Sequence, residues 1–370
     1  MHSFHISKRQ FSLALMCSLG APRLWSSSSA AATAGSNITD IISSKQPMAD
    51  YTEVFEAAIL KQHRNRLGDL YVPAGVWPLR TLTLRDSVRL RGAGRNATIL
   101  KALPSDAPGF ITLATGPVRS SGLSNLSLDG GSPDKATNPN QWAISLISRA
   151  EQQAEIPNGG LWSSEFDGIT IYNFSRGIEL VGDRTRKYML PHQFLSFRNI
   201  VSQLSKDLVG PILRVAGQVD QVMFQQCLFD HWKRSLTKDS ELQSSALCVE
   251  LGEVGGENMP LAIHFDVCTF QSCRQAVEIA MAQNVLFTSC WFEELAKGII
   301  VAKDGVGISI LDCRFANAAA QGAAVQFSAG ASGRIQGNVF AGKRTRQSII
   351  VESGADVSVD ANRLEWGAGE

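Results

Sequence analysis

Two stretches of this 370-residue chain gather side chains able to move protons or hold an anion. The first is Asp183-Arg184-Thr185-Arg186-Lys187-Tyr188-Met189-Leu190-Pro191-His192. Arg184 or Arg186 could clamp a carboxylate through two parallel N–H bonds, and Lys187, Tyr188 or His192 could serve as base or acid. Neutralising a carboxylate and then removing the proton from the neighbouring carbon is the chemistry of β-elimination. The second stretch is Asp230-His231-Trp232-Lys233-Arg234. Here Trp232 offers a ring for stacking, Asp230 or His231 could transfer a proton, and Lys233 and Arg234 add positive charge. Trp162 and Trp142, in other loop-like stretches, could line the same kind of groove. Either charged run also reads as a solvated loop with no chemistry at all.

A different reaction, hydrolysis of a glycosidic bond, needs two carboxyl groups facing each other. Glu165, Asp167, Glu179, Asp230 and Glu250 are candidates, and Glu278 continues the outward phase of Glu179 and Glu250. A row of this kind is more commonly plain surface. No acidic run has the spacing of a calcium loop, so Ca2+ has no motif behind it, no cofactor is implied, and no metal ligands are assigned.

Whatever the reaction, an internal repeat must position these residues. Phe224-Gln-Gln-Cys227-Leu-Phe229, Phe265-Asp-Val-Cys268-Thr-Phe270 and Phe287-Thr-Ser-Cys290-Trp-Phe292 share one pattern. Ile310-Leu-Asp-Cys313-Arg-Phe315, Ile335-Gln-Gly-Asn338-Val-Phe340 and Val359-Asp-Ala-Asn362-Arg-Leu364 continue it, and Leu126, Ile169 and Ile200 take the marked slot upstream. From Cys268 the slot recurs after 22, 23, 25 and 24 residues. Each repeat holds a second alternating strand, as in Gly177-Ile-Glu-Leu180, Ala276-Val-Glu-Ile279 and Gly298-Ile-Ile-Val301. Strands this short must stack on their counterparts one repeat away, as parallel sheets around a filled core. The cysteines would then stack inward about 4.8 Å apart, too far for bridges, as free core thiols. Loops are longest at 129–141, 148–163, 182–194, 230–245 and 252–262, which places any site over the first half of the solenoid.

The stretch from Asp50 to Lys101 resembles the opening of the pectate-lyase-like β-helix superfamily. Asp50-Tyr-Thr-Glu53 starts an amphipathic helix, like a capping box, with Val54, Phe55, Ala58 and Ile59 on one face. Leu70-Tyr-Val-Pro-Ala-Gly75-Val-Trp77 and Val88-Arg-Leu-Arg-Gly-Ala-Gly94 follow, similar to the family's P-x-G-x-Y and L-x-G-x-G turns, with Trp77 in place of Tyr. The resemblance implies an all-β, single-stranded right-handed parallel β-helix capped by an N-terminal α-helix. It implies chemistry only loosely, since the superfamily spans pectin and alginate lyases, polygalacturonases, uronate epimerases, phage tail spikes and inactive members. Polygalacturonase-like Asp-Asp and Gly-His-Gly are absent, as are the Trp-x-Asp-His of pectate lyases and the Asp-Pro-His of mannuronan epimerases.

With 35 basic and 34 acidic residues, nothing electrostatic favours nucleic acid or an anionic membrane. Lys8-Arg9, the apolar run Phe11–Leu19 and Ala32-Thr33-Ala34 have the order of a secretory signal, and Ser7–Leu13 resembles a twin-arginine signal with Lys for the first Arg. The apolar run is too short for a membrane span. The expected layout is a signal peptide at 1–34, a linker at 35–49 and the β-helix at 50–370, exported to the periplasm or beyond. The expected function is a polysaccharide lyase acting on a uronate-containing polymer by β-elimination. A glycoside hydrolase with paired carboxylates, or a polysaccharide-binding or structural β-helix, are the alternatives. The partner is a polysaccharide, and the solenoid is a monomer or homotrimer.

Overall fold

A computed structural model describes residues 36–37, 49–150, 158–183, 190–205, 209–231, 247–318, 322–342 and 348–366. Residues 1–35 lie outside them, with the signal reading that falls there, and so do Arg184, Arg186, Lys187, Tyr188, Trp232, Lys233 and Arg234.

Helix α1 (Thr52–Asn65) buries Phe55, Ala58, Ile59 and Gln62. Trp77 wedges beneath it, with its ring edge-on to Tyr51 at 5.0 Å and to Phe55 at 5.8 Å, and its Nε1 donates to the Pro73 carbonyl. The expected capping box does not form. Tyr51, not Asp50, occupies the N-cap position, so the acid stands one residue too early. The Asp50 carboxylate instead accepts from the N–H (2.9 Å) and Oγ1 (2.6 Å) of Thr52, and pairs with Arg80 at 2.9 Å.

The described residues form 32 strands, and every strand pairing is parallel and joins one coil to another. Each full coil runs along three faces. The first face contains His192–Arg198, Val219–Gln225 and Leu261–Asp266; after a bend the second contains Val201–Leu204, Leu228–His231 and Thr269–Gln271. After a turn the third contains Trp142–Ile147, Arg176–Val181, Leu213–Ala216, Leu247–Leu251 and the start of Gln275–Gln283. Period-two alternation sends one side-chain set inward on every strand. Inside, phenylalanines stack in two ladders. One runs Phe166, Phe197, Phe224, Phe265, Phe287 with ring centroids 4.6–5.0 Å apart, the other Phe229, Phe270, Phe292, Phe315, Phe340 at 4.5–5.2 Å.

The bend between the first and second faces explains the repeated Cys and Asn. Cys227, Cys268, Cys290 and Cys313 are free and buried, and their register continues upstream through Ile200, Ile169 and Leu126. Each thiol donates to a corner carbonyl of the preceding coil, as Cys268 Sγ does to Phe224 at 3.3 Å. Asn338 and Asn362 make the stronger amide version of the same bond, to Ile310 and Ile335, both at 2.9 Å. A disulfide between Cys248 and Cys273, on adjacent coils, is a feature the repeat pattern does not announce.

One residue before that column the backbone is left-handed on coil after coil. Asn199, Gln226, Val267, Ser289, Asp312 and Ala361 all have φ of 53°, and Gly337 has 70°. A β-branched side chain is the worst occupant of that region, and Val267 is 50% exposed, so packing returns little. Val267→Gly is therefore expected to stabilise the protein by about 0.5–1 kcal/mol, after its own entropic cost. A thermal melt of the pair checks this; a lower midpoint for the glycine variant would refute it. Among the described residues no helix is long and apolar enough to cross a membrane.

Candidate active site

The third face gathers ionisable side chains from successive coils. Its strands alternate, so Ile144, Ile178, Leu213, Val249 and Val277 enter the core while the other set points out. Register places Ser145, Glu179, Arg214, Glu250 and Glu278 in one outward column on five successive coils. Among the described residues, the connection 130–141 precedes a strand of this face and 252–260 follows one. The column forms the outward floor of the third face, and Asn258 Nδ2, on the 252–260 connection, donates to the Asp183 carbonyl at 2.9 Å.

On that floor one guanidinium is shared among three carboxylates. Arg214 Nη1 lies 3.3 Å from Glu179, its Nε 3.6 Å from Glu250, and its Nη2 bonds Glu253 on the 252–260 loop. Glu179 is 5% exposed and also accepts from Ser145 Oγ at 2.9 Å, so both of its oxygens are engaged. Burial raises the Glu250 carboxyl above the usual carboxylate range; Arg214 opposes the shift, and Glu278, Glu253 and Glu179 add to it. Glu278 stands exposed one rung further on. The floor therefore sets two carboxyl groups, Glu250 and Glu278, on adjacent rungs about 4.8 Å apart at the backbone.

The other sequence candidates fall elsewhere. His192 is fully buried: its Nδ1 accepts from the Leu161 N–H at 2.9 Å, and its Nε2 faces the Leu146 carbonyl at 2.8 Å. A ring held on both nitrogens inside the core has no edge for a substrate, which corrects the expectation of an acid or base there. Asp230 and His231 are adjacent in sequence but point to opposite sides of their strand. His231 turns inward at 1% exposure, so the two do not share a site. Burial raises the Asp230 carboxyl, against hydrogen bonding from Gln271, Ser272 and Gln203, but it sits on the second face, away from Glu250. Trp142 is 4% exposed beneath Arg176, whose guanidinium is 5.5 Å from its ring centroid. Trp162 is half-buried on the first face, its Nε1 donating to the Gly159 carbonyl at 3.2 Å. Glu165 and Asp167 lie on the first face too, paired with Arg198. Arg214 was missed because its strand, Leu213–Ala216, is short and lacks the small residue that opens the other second strands; its alternation with Leu213 and Val215 was the available signal. Among the described residues no group of three His, Cys, Asp or Glu is placed to hold a metal ion.

Burial lowers the His192 pKa to about 4, against its backbone hydrogen bonds. The unfolded chain therefore binds a proton that the folded one refuses between about pH 6.5 and 4. Stability is fully present above that window and lost as pH falls through it, by roughly 3 kcal/mol from this group. His192→Gln, able to satisfy both backbone groups, is expected to flatten the change in urea midpoint between pH 7.5 and 4.5. An unchanged slope would exclude this origin.

Residues 261–364 match a family model described as a right-handed β-helix region. The A-module of the Azotobacter vinelandii mannuronan C-5 epimerase AlgE4 superimposes with a TM-score of 0.62 over 90% of this chain and 100% of its own, at 14% identity. This chain is a right-handed parallel β-helix. Two further β-helices align at similar levels. The tailspike gp49 of Acinetobacter baumannii bacteriophage Fri1, a capsular polysaccharide depolymerase, has a TM-score of 0.57 and 13% identity over 90% of this chain and 60% of its own. PfbA, a surface adhesin of Streptococcus pneumoniae, has a TM-score of 0.54 and 12% identity over 91% and 92%. At these identities the likeness is one of fold. No curated protein matches the sequence.

Proposed function

We propose that this β-helix is an exported enzyme that cleaves a polysaccharide on the outward column of its third face, by hydrolysis with Glu250 and Glu278. The carrying observation is the outward column itself, in which Glu250, raised by burial, neighbours an exposed Glu278 one coil away. In this reading Glu250 protonates the departing glycosidic oxygen. Glu278 attacks the anomeric carbon, and water then releases the sugar with Glu250 as base. Adjacent rungs match the spacing of about 5 Å used by retaining glycosidases. Glu179, two rungs from Glu250, would suit inversion, but Ser145 and Arg214 occupy its oxygens. Arg214 holds Glu179, Glu250 and Glu253 in place as a positioning residue.

Polysaccharide as the substrate class is supported by two fold neighbours, one an epimerase of mannuronan and one a depolymerase of capsular polysaccharide. Export is supported by the Cys248–Cys273 disulfide, which suits an oxidising compartment. The β-elimination reading rests on Arg184, Arg186, Lys187 and Tyr188, outside the described residues. The test incubates the protein with a panel of acidic and neutral polysaccharides, following reducing ends and ultraviolet absorbance together. New reducing ends without absorbance, and with retained anomeric configuration, are expected. Absorbance rising with the ends would replace hydrolysis by elimination.

A further inference from the structure

A cavity lies on the first face, away from the column of Glu250 and Glu278 on the third. Register there places Arg89, Gly122 and Glu165 in one outward column and Arg91, Ser124 and Asp167 in the next. The middle rung is nearly bare, and it must be. A Cβ on Gly122 would stand 1.9 Å from the Glu165 carbonyl oxygen, and the backbone there has φ +152°. The strands that bear the two arginines and the two carboxylates are thus about two strand spacings, roughly 10 Å, apart at the backbone. The cavity between them has a volume of about 180 Å³.

The charged groups do not close it. Glu165 and Asp167 turn to the far side, to Arg198, and Asp167 also accepts from Asn199 Nδ2 at 2.9 Å. Arg89 pairs backwards with Asp69 at 3.0 Å. Arg91 lies over the Tyr71 ring at 5.7 Å and has no carboxylate partner among the described residues. One rim of the cavity thus offers guanidinium N–H donors, the other the oxygens of two carboxylates that share one guanidinium, Arg198. The oxygens that Arg198 and Asn199 leave open can accept from hydroxyl donors.

We infer that this cavity is a second carbohydrate site, taking one uronate residue with its carboxylate on Arg91 and its hydroxyls donating to Glu165 and Asp167. It is a binding site, not a catalytic one, and it does not depend on the reaction assigned to Glu250 and Glu278. Placed on a different face, it would let the protein hold an acidic chain while another segment lies on the third face.

The test titrates galacturonate, glucuronate and mannuronate into the full protein, with binding read by saturation-transfer NMR. At least one uronate should bind, and galactose should bind far more weakly. Arg91→Gln should weaken uronate binding about tenfold or more, as loss of a charge-assisted bond does, while Arg91→Lys recovers part of it. Glu250→Gln should leave this binding unchanged, which separates the cavity from the third-face column. Unaltered binding in Arg91→Gln, equal binding of galactose, preference for glucosamine, or no uronate bound at tens of millimolar would each overturn the inference.

Discussion

Glu250→Gln is expected to lower the turnover of polysaccharide cleavage by about a thousandfold while leaving the fold intact, since general acid catalysis is worth roughly 10²–10⁴. The substitution is nearly isosteric, and it removes one of the carboxylates crowded around Arg214. Stability should therefore hold or rise slightly, so a loss of rate cannot be charged to unfolding. The pH profile carries a second signature. Burial and like charge keep the Glu250 proton on to higher pH than usual, so the alkaline limb, on which the general acid is lost, should lie above the ordinary range for glutamate. Glu278→Gln should be as damaging, and azide should rescue a nucleophile variant with inverted configuration. Comparable turnover in Glu250→Gln would remove the dyad from consideration and return attention to the 182–194 insertion.

Phe265→Ala is the largest expected effect on stability, about 3–5 kcal/mol. The ring is fully buried, stacks at 5.0 Å on Phe224 and at 4.9 Å on Phe287, and meets Phe229 and Phe270 edge-on. Truncation forfeits the transfer free energy, leaves a cavity and removes two stacked contacts. Each coil of a solenoid touches only its neighbours, so the damage should be local first. Hydrogen exchange should accelerate in residues 219–311 before the helix-capped coils respond. Met223→Ala, outward and 39% exposed, is the matched control and should stay within about 0.5 kcal/mol. Equal loss from both variants would mean that the ladder is not what holds the coils together.

Much of this molecule was legible in one dimension. The Cys and Asn slot, the second strand, the outward phase of Glu179, Glu250 and Glu278 and the lengths of the insertions are all local or periodic properties. A parallel coil converts them into columns and faces without further choice. Asp230 and His231 could have been separated by the same rule, because neighbours on a strand cannot share a face. In sequence the run Asp230–Arg234 reads as one insertion, whereas its first two residues complete the strand Leu228–His231.

What the sequence determined by itself was the solenoid: a repeat of about two dozen residues whose short alternating strands have no partner except their own copies. Tertiary structure alone decided where chemistry can occur. Glu179, Arg214, Glu250 and Glu278 are 35, 36 and 28 residues apart in sequence and meet only through stacked coils, so no motif spans them. Burial, also a property of the packed chain, turned His192 from a candidate base into a core strut and raised the Glu250 carboxyl toward an acid. Periodicity is encoded locally, but the electric environment of a side chain is the sum of neighbours brought from other coils.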